Sequence, residues 1–152
     1  MEMLSQGTFV SYLVKLISEN PQEDMIQIKK GKIPKEDNRC PLREYFLGDR
    51  DDIILKLIRD YFNSVKTIFP DEWNNDKYIL SKTTGYGAML KVFKEIYLKG
   101  LNERKLDQEF FENYIRLGKK KLEQENVKLT SEFFPSNEQM QSKLANYFKE
   151  FI

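Results

Sequence analysis

Apolar side chains recur at helical spacing along most of this chain, and the clearest run lies between residues 53 and 69. Pairs of apolar residues alternate there with pairs of polar ones, so one apolar face would follow a helix along its whole length. Asp49 or Asp51 supplies a helix start, and Pro70 ends the pattern. The run therefore predicts a long, buried helix. Its apolar stripe comprises Ile53, Ile54, Leu57, Ile58, Tyr61, Phe62, Val65, Ile68 and Phe69.

Two shorter helices are predicted before this one. The first covers residues 8–18, with Thr8 as its cap and a stop at Pro21. The second follows Pro41 and closes at Gly48, because proline suits the first position of a helix and glycine suits the position just past its end.

Three helices are predicted after residue 70. One begins at the sequence TTGYG and stops at Gly100, and the next runs from Asp107 to about Gln124. The last runs from Asn137 to Ile152. It starts with a Ser-Asn-Glu-Gln capping box, in which the hydroxyl and amide side chains bond to backbone N–H groups.

The segment between residues 22 and 38 is polar and rich in lysine, and its apolar residues show only a brief alternation. We expect an exposed loop there, with at most one short extended stretch near residues 25–33. No internal repeat divides the chain. The whole pattern predicts an all-α fold, with residues 1–152 forming a single domain, an irregular bundle of about five to six helices.

Composition agrees with a folded domain that has no strong overall charge. Hydrophobic residues make up 40% of the 152 positions and aromatic residues 13%, which is too many for a disordered chain. The 25 basic and 24 acidic side chains leave a net charge of +1. Binding to nucleic acid would therefore need a local basic patch. No apolar run approaches the roughly 20 residues of a membrane span, so no membrane partner is expected.

Histidine is absent from the sequence, and cysteine occurs once, at Cys40. These two facts exclude the usual zinc ligand sets, Ser-His-Asp triads and Cys-His pairs. We therefore expect no enzymatic activity, no cofactor and no metal. The lone cysteine, together with an N-terminal segment unlike a signal peptide, predicts a cytoplasmic protein.

The sequence TTGYG at residues 83–87 has two interpretations. Hydroxyl groups and glycine N–H groups at a helix start can form an anion or nucleotide-phosphate site, although the sequence lacks the ending of a Walker loop. Alternatively, Thr83 or Thr84 caps the helix, and the glycines allow a close helix approach or a left-handed turn. The candidate anion contacts are Lys82, Thr83, Thr84, Gly85, Tyr86 and Gly87.

Basic residues cluster on the helix predicted after Asp107. They are either contacts for nucleic-acid phosphate or a solvated helix face, since acidic residues follow at once. A second basic cluster, Lys29, Lys30 and Lys32, lies in the predicted loop. The candidate nucleic-acid contacts are Arg116, Lys119, Lys120 and Lys121.

Asp71 and Glu72 stand next to the only tryptophan, Trp73. One interpretation is a carboxylate pair in an aromatic pocket. The other is that the two acids cap a turn after Pro70 while the indole fills a gap in the core.

Four motifs, taken in order, resemble the C-terminal part of DGQHR-domain proteins, which are relatives of DndB from the DNA phosphorothioation system. The motifs are LSQGTFV at 4–10, LREYF at 42–46, YFNSVKTIFPDEWNN at 61–75 and YILSKTTGYGAML at 78–90. The resemblance covers about residues 4–97. The Asp-Gly-Gln-His-Arg signature itself is missing, because the chain has no histidine.

This resemblance implies a non-enzymatic helical module that acts in DNA modification, its regulation or mobile-element defence. The chain would be either a C-terminal fragment or a short standalone relative. The implied partner is a DGQHR-containing N-terminal segment or another copy of the chain, with DNA as a further candidate. An apolar docking patch is expected near Trp73, Tyr78 and Tyr86.

Overall fold

The computed structural model describes residues 4–152, and over that range the chain is all-α with no strand. The predicted all-α class is confirmed, with one helix more than expected. The helices of the described range are α1 (Gln6–Val14), α2 (Pro21–Lys29), α3 (Arg43–Leu47), α4 (Asp51–Ile68), α5 (Thr83–Glu103), α6 (Gln108–Gln124) and α7 (Glu138–Lys149). None of them is long and apolar enough to cross a bilayer.

The core is built around α5, whose side chains are buried along most of its length. α4 packs mainly against α6, and α5 packs mainly against α7. Tyr61 links these layers, because its ring meets Phe93 and Phe111 edge to face at 5.1 and 5.4 Å. Its hydroxyl donates to the carbonyl of Met89 at 2.5 Å. The only polar atom of this buried ring is thereby satisfied, as burial requires.

The long helix and its neighbour α6 follow the sequence prediction closely. α4 begins at Asp51 and ends one residue before Phe69, its C-cap. α6 is capped by Asp107, whose carboxylate accepts from the N–H of Phe110 at 2.9 Å. α3 also closes at Gly48 as predicted, although it starts two residues after Pro41.

Several helix ends differ from the prediction. α1 ends at Val14 and not at residue 18, and α7 ends at Lys149 and not at Ile152. α1 is capped by Ser5, which accepts from the N–H of Thr8, so Thr8 lies inside the helix. α5 continues through Gly100 to Glu103, because this glycine allows the backbone after the helix to pass close by. α7 has no Ser-Asn-Glu-Gln capping box: its cap is Asn137.

The predicted loop from 22 to 38 is wrong in its first part, which forms α2. The Asn20 side chain accepts from the N–H of Glu23 at 3.3 Å, and Pro21 occupies the first turn. Acidic side chains in that turn stabilise the helix, because they lie beside the positive end of its dipole. The residues that looked like a stop for α1 are therefore the start of α2. No strand forms at 25–33, because residues 25–29 belong to α2 and residues 30–33 have no regular structure.

Candidate interaction surface

The TTGYG sequence forms the first turn of α5. Lys82 is the N-cap residue, and no side chain in the described range caps the helix, so the predicted threonine cap is wrong. Thr84 is buried, whereas Thr83 is exposed. The Lys82 ammonium donates to the carbonyl of Asp76 at 3.0 Å, which ties the lysine to its own loop.

The two glycines of this turn allow close approach, as one of the two interpretations predicted. A Cβ atom at Gly85 would collide with the backbone of Ile79 and Leu80. A Cβ atom at Gly87 would lie 2.5 Å from the side-chain oxygen of Gln141 on α7. The start of α5 is therefore packed against the chain itself. This packing supports the structural interpretation, and the anion site stays a prediction.

Tyr86 lies beneath α1 and is 5% exposed. Its ring is stacked between Phe9 and Phe62 at centroid distances of 5.2 and 5.1 Å, and Tyr12 meets it edge-on. Burial raises the pKa of the Tyr86 hydroxyl above its usual range, so the group stays protonated. Tyr86 therefore contributes to the core and not to an exposed docking patch.

Trp73 and Tyr78, the other residues of the expected patch, are half-buried and pack against the core. The centroid of the Trp73 ring lies 6.3 Å from that of Phe62. Asp71 is exposed in the same turn, whereas Glu72 is partly buried. The indole fills the space beside α4, as the structural interpretation of this turn predicted.

Three of the four candidate nucleic-acid contacts interact within the chain. Lys119 donates to the carbonyl of Ile68 at 2.8 Å. Lys121 forms ion pairs with Glu125 and Glu150. Arg116 lies 3.9 Å from a carboxylate oxygen of Glu112. Lys120 is exposed and has no ion pair with any residue of the 4–152 range. The DNA contact stays a prediction, and two of its four basic residues, Arg116 and Lys121, already lie near carboxylates of the chain.

Four exposed apolar residues lie close together on and just after α2, where the sequence predicted a loop. Met25, Ile26 and Ile28 are between 41% and 50% exposed, and Ile33 just beyond the helix is 84% exposed. None of the residues Pro21–Lys29 is buried. The apolar side chains of this helix therefore face outward.

A polar network holds α2 to the body of the protein. The Asp24 carboxylate accepts from two guanidinium nitrogens of Arg43 at 2.5 and 2.8 Å and from the hydroxyl of Ser18 at 2.5 Å. Arg43 also donates to the backbone carbonyls of Ile17 and Lys35. Its hydrogen bonds hold the pKa of Asp24 below the usual value. α2 thus turns the polar residues Asp24 and Gln27 toward the body of the protein, while Met25, Ile26 and Ile28 share its exposed side with Gln22, Glu23 and Lys29.

The outward apolar residues of α2 are interleaved with lysines. No acidic residue occurs between positions 25 and 35. The four lysines there are exposed, and none forms an ion pair with a residue of the described range. We call this region the α2 surface; it comprises Met25, Ile26, Ile28, Lys29, Lys30, Lys32, Ile33 and Lys35.

No other chemistry of a usual kind is assembled in the part of the chain that the structure describes. No group of three or more Cys, Asp or Glu residues there is placed to hold a metal ion. Cys40 is buried, and desolvation raises the pKa of its thiol, which disfavours the reactive thiolate.

Comparison of the chain with protein-family models, with curated proteins and with solved structures finds no match.

Proposed function

We propose that this chain is a non-enzymatic helical module that binds another polypeptide through the α2 surface. In the setting that the motif resemblance implies, the partner is a DGQHR-containing segment of a DNA-modification or mobile-element-defence system. The observation that carries the proposal is the exposure of Met25, Ile28 and Ile33 on and just beyond α2, a helix that the Asp24–Arg43 ion pair fastens to the body.

Single exposed apolar residues are common on protein surfaces, but a contiguous group marks an interaction site. Fully burying one such aliphatic side chain contributes about 1.5–3 kcal/mol, so covering several of them supplies the core of a stable interface. The lysines around them favour a partner whose apolar patch is rimmed by acidic side chains. A polypeptide supplies both features at once, whereas a nucleic acid supplies the charge with little apolar surface.

Light scattering after size exclusion tests the proposal, with the chain run alone and then with a separately expressed DGQHR-containing segment from the same genome. We expect a defined complex that Ile33→Asp weakens at least about tenfold, equivalent to 1.4 kcal/mol. Leu55→Asp is the matched control, because Leu55 is 65% exposed on α4, away from the α2 surface. The control should leave the complex unchanged.

Two results would contradict this function. One is the absence of any complex with the segment; self-association sensitive to Ile33→Asp would then assign the α2 surface to a second copy. The other is binding to DNA instead of protein, with affinity falling steeply with salt and unaffected by Ile33→Asp.

A further inference from the structure

A cavity of about 360 Å³ opens between the end of α4, the turn that carries Glu72, and the end of α6. Its floor is apolar, formed by the buried side chains of Phe69, Leu122 and Leu129. Lys119 and Glu72 contribute charged groups to its wall. None of these residues belongs to the α2 surface, so the cavity is independent of the proposed polypeptide site.

Backbone hydrogen bonds fix the walls of the cavity. The N–H of Ile79 donates to the carbonyl of Leu129 at 2.8 Å, which joins the loop before α5 to the loop after α6. The N–H of Val127 donates to the carbonyl of Leu122 at 2.9 Å. The backbone around the cavity is therefore in place before a ligand binds, as is usual for small-molecule sites, and only side chains need to turn.

One oxygen of the Glu72 carboxylate lacks a hydrogen-bond donor in the described range. Its Oε2 atom is buried and accepts no hydrogen bond from any residue in the 4–152 range. A carboxyl oxygen out of contact with water is costly unless a donor meets it. Among the residues that line the described cavities, Glu72 alone has such an atom. Glu72 lines the cavity, so a turn of its side chain would bring this oxygen to a hydrogen-bond donor of a ligand.

Lys119 and Lys128 both line this wall, opposite in charge to Glu72 and Glu123, and Lys119 is the lysine that the structure fixes in place. Its ammonium donates to the carbonyl of Ile68 at 2.8 Å and lies 5.4 Å from the centre of the Phe69 ring. An ammonium has three N–H donors, and the Ile68 carbonyl takes one of them. Lys119 and Glu72 do not form an ion pair within 4.0 Å. The wall thus presents separate sites for an anionic and a cationic group above one apolar floor.

We propose that this cavity binds a small zwitterion with an apolar side chain, of the α-amino acid class. The ligand ammonium donates to Glu72, the ligand carboxylate accepts from Lys119, and the side chain lies on the floor formed by Phe69, Leu122 and Leu129. The volume lies at the small end of the range for ligand sites, which suits a ligand of this size.

NMR titration of the full-length chain with four probes tests the assignment. L-phenylalanine has all three groups, phenethylammonium lacks the carboxylate, 3-phenylpropionate lacks the ammonium, and glycine lacks the side chain. We expect L-phenylalanine to bind with the lowest Kd, and each missing group to raise Kd by about tenfold or more. Chemical-shift changes should centre on Leu122, Leu129 and the turn at Glu72.

Glu72→Gln tests the carboxylate itself. The variant keeps the shape of the side chain but loses its charge, so it should remove the preference for L-phenylalanine over 3-phenylpropionate. Glu132→Gln is the matched control, because Glu132 is exposed and does not line this cavity. It should leave the preference unchanged.

The proposal is overturned if L-phenylalanine produces no shift changes at about 10 mM, a concentration that reveals even weak binding. It is also overturned if 3-phenylpropionate binds the unaltered chain as well as L-phenylalanine does. This second comparison needs no variant, so it holds even where Glu72→Gln fails to fold.

Discussion

At the scale of single residues, glycines decide how closely the helices of this protein approach. Gly85 faces the backbone of Ile79 and Leu80, and Gly118 on α6 faces the ring of Phe148 on α7. A side chain at either position would occupy space that another part of the core already fills. The absence of a Cβ atom is therefore a packing requirement here, because neither residue has a positive φ.

Replacement of Gly85 by alanine should destabilise the protein. Alanine favours a helix, but its Cβ would meet backbone atoms that cannot rotate away, so we expect a net loss of about 1–3 kcal/mol. Gly7→Ala in α1 is the matched control, since a Cβ there lies 3.9 Å from its nearest neighbour. This control should stabilise by about 0.5 kcal/mol, and urea unfolding of both variants measures the difference. Equal stabilities would contradict the packing role of Gly85.

The sequence shows where such glycines occur, but it does not show which contacts require them. For Gly85 and Gly87 the sequence leaves an anion site, a close approach and a left-handed turn open, and the structure shows the close approach. For Gly100 the sequence predicts a helix stop, the commonest role of a glycine at that spacing. The structure uses it for contact with the backbone and Leu106 beyond the helix, a neighbour that helical periodicity cannot reveal. The cavity beside Glu72 could not be predicted from the sequence either, because segments far apart along the chain form it.

At the scale of elements, the helices that bury a continuous stripe are the ones that the sequence predicts well. α4 and α6 have their apolar residues at the spacing of one face, and both appear with nearly the expected ends. α2 buries no such stripe, because its apolar residues are exposed to solvent. The sequence nevertheless contains the start signals of α2, which are Asn20, Pro21 and the acidic residues that follow. The α2 surface could have been found from these start signals, but not from hydrophobic periodicity.

The ion pair of Asp24 should control how firmly α2 is attached. Removing one partner of a buried pair leaves the other unpaired, so Asp24→Asn should lower the free energy of unfolding by about 3 kcal/mol near neutral pH. The pKa of Asp24 is lowered in the folded state, mainly by the hydrogen bonds from Arg43. Its contribution is therefore full above the usual value of 3.8 and is lost as pH falls through the lower folded-state pKa.

Unfolding in urea at several pH values below about 5 measures this contribution. The unaltered chain should lose stability more steeply on acidification than Asp24→Asn does. Asp52→Asn is the control, because Asp52 also pairs with an arginine but is exposed, so its effect should be small. Identical acid profiles for the unaltered chain and Asp24→Asn would refute the assigned role of this pair.

At the scale of the whole molecule, the buried side chains are distributed unevenly along the chain. Before residue 40, the buried hydrophobic core of the described range includes only Leu16, whereas α4 to α7 supply most of the rest. α1 covers Tyr86 from outside, and α2 is attached through polar contacts. The bundle of α4 to α7 therefore has a core of its own, and the first two helices form an outer layer on it.

This division predicts that residues 41–152 fold without the preceding segment. Arg43 would then be open to water, so the loss of Asp24 would leave no buried charge unpaired. We expect cooperative thermal unfolding at a lower Tm, because Tyr86 and Phe62 lose the cover of Phe9. The fragment should also fail to bind the DGQHR-containing segment, since it lacks the α2 surface.

Deletion of residues 138–152 is the matched control for this fragment, because it removes a single helix from the other end. α7 places Leu144, Ala145 and Phe148 in the core, and all three are fully buried. Their loss would open a cavity against α5 and α6 that solvent cannot fill favourably. We therefore expect this deletion to abolish cooperative unfolding, as measured by calorimetry, while residues 41–152 retain it. The opposite result would place the stabilising core in the N-terminal segment and would contradict the role of α1 and α2 as an outer layer.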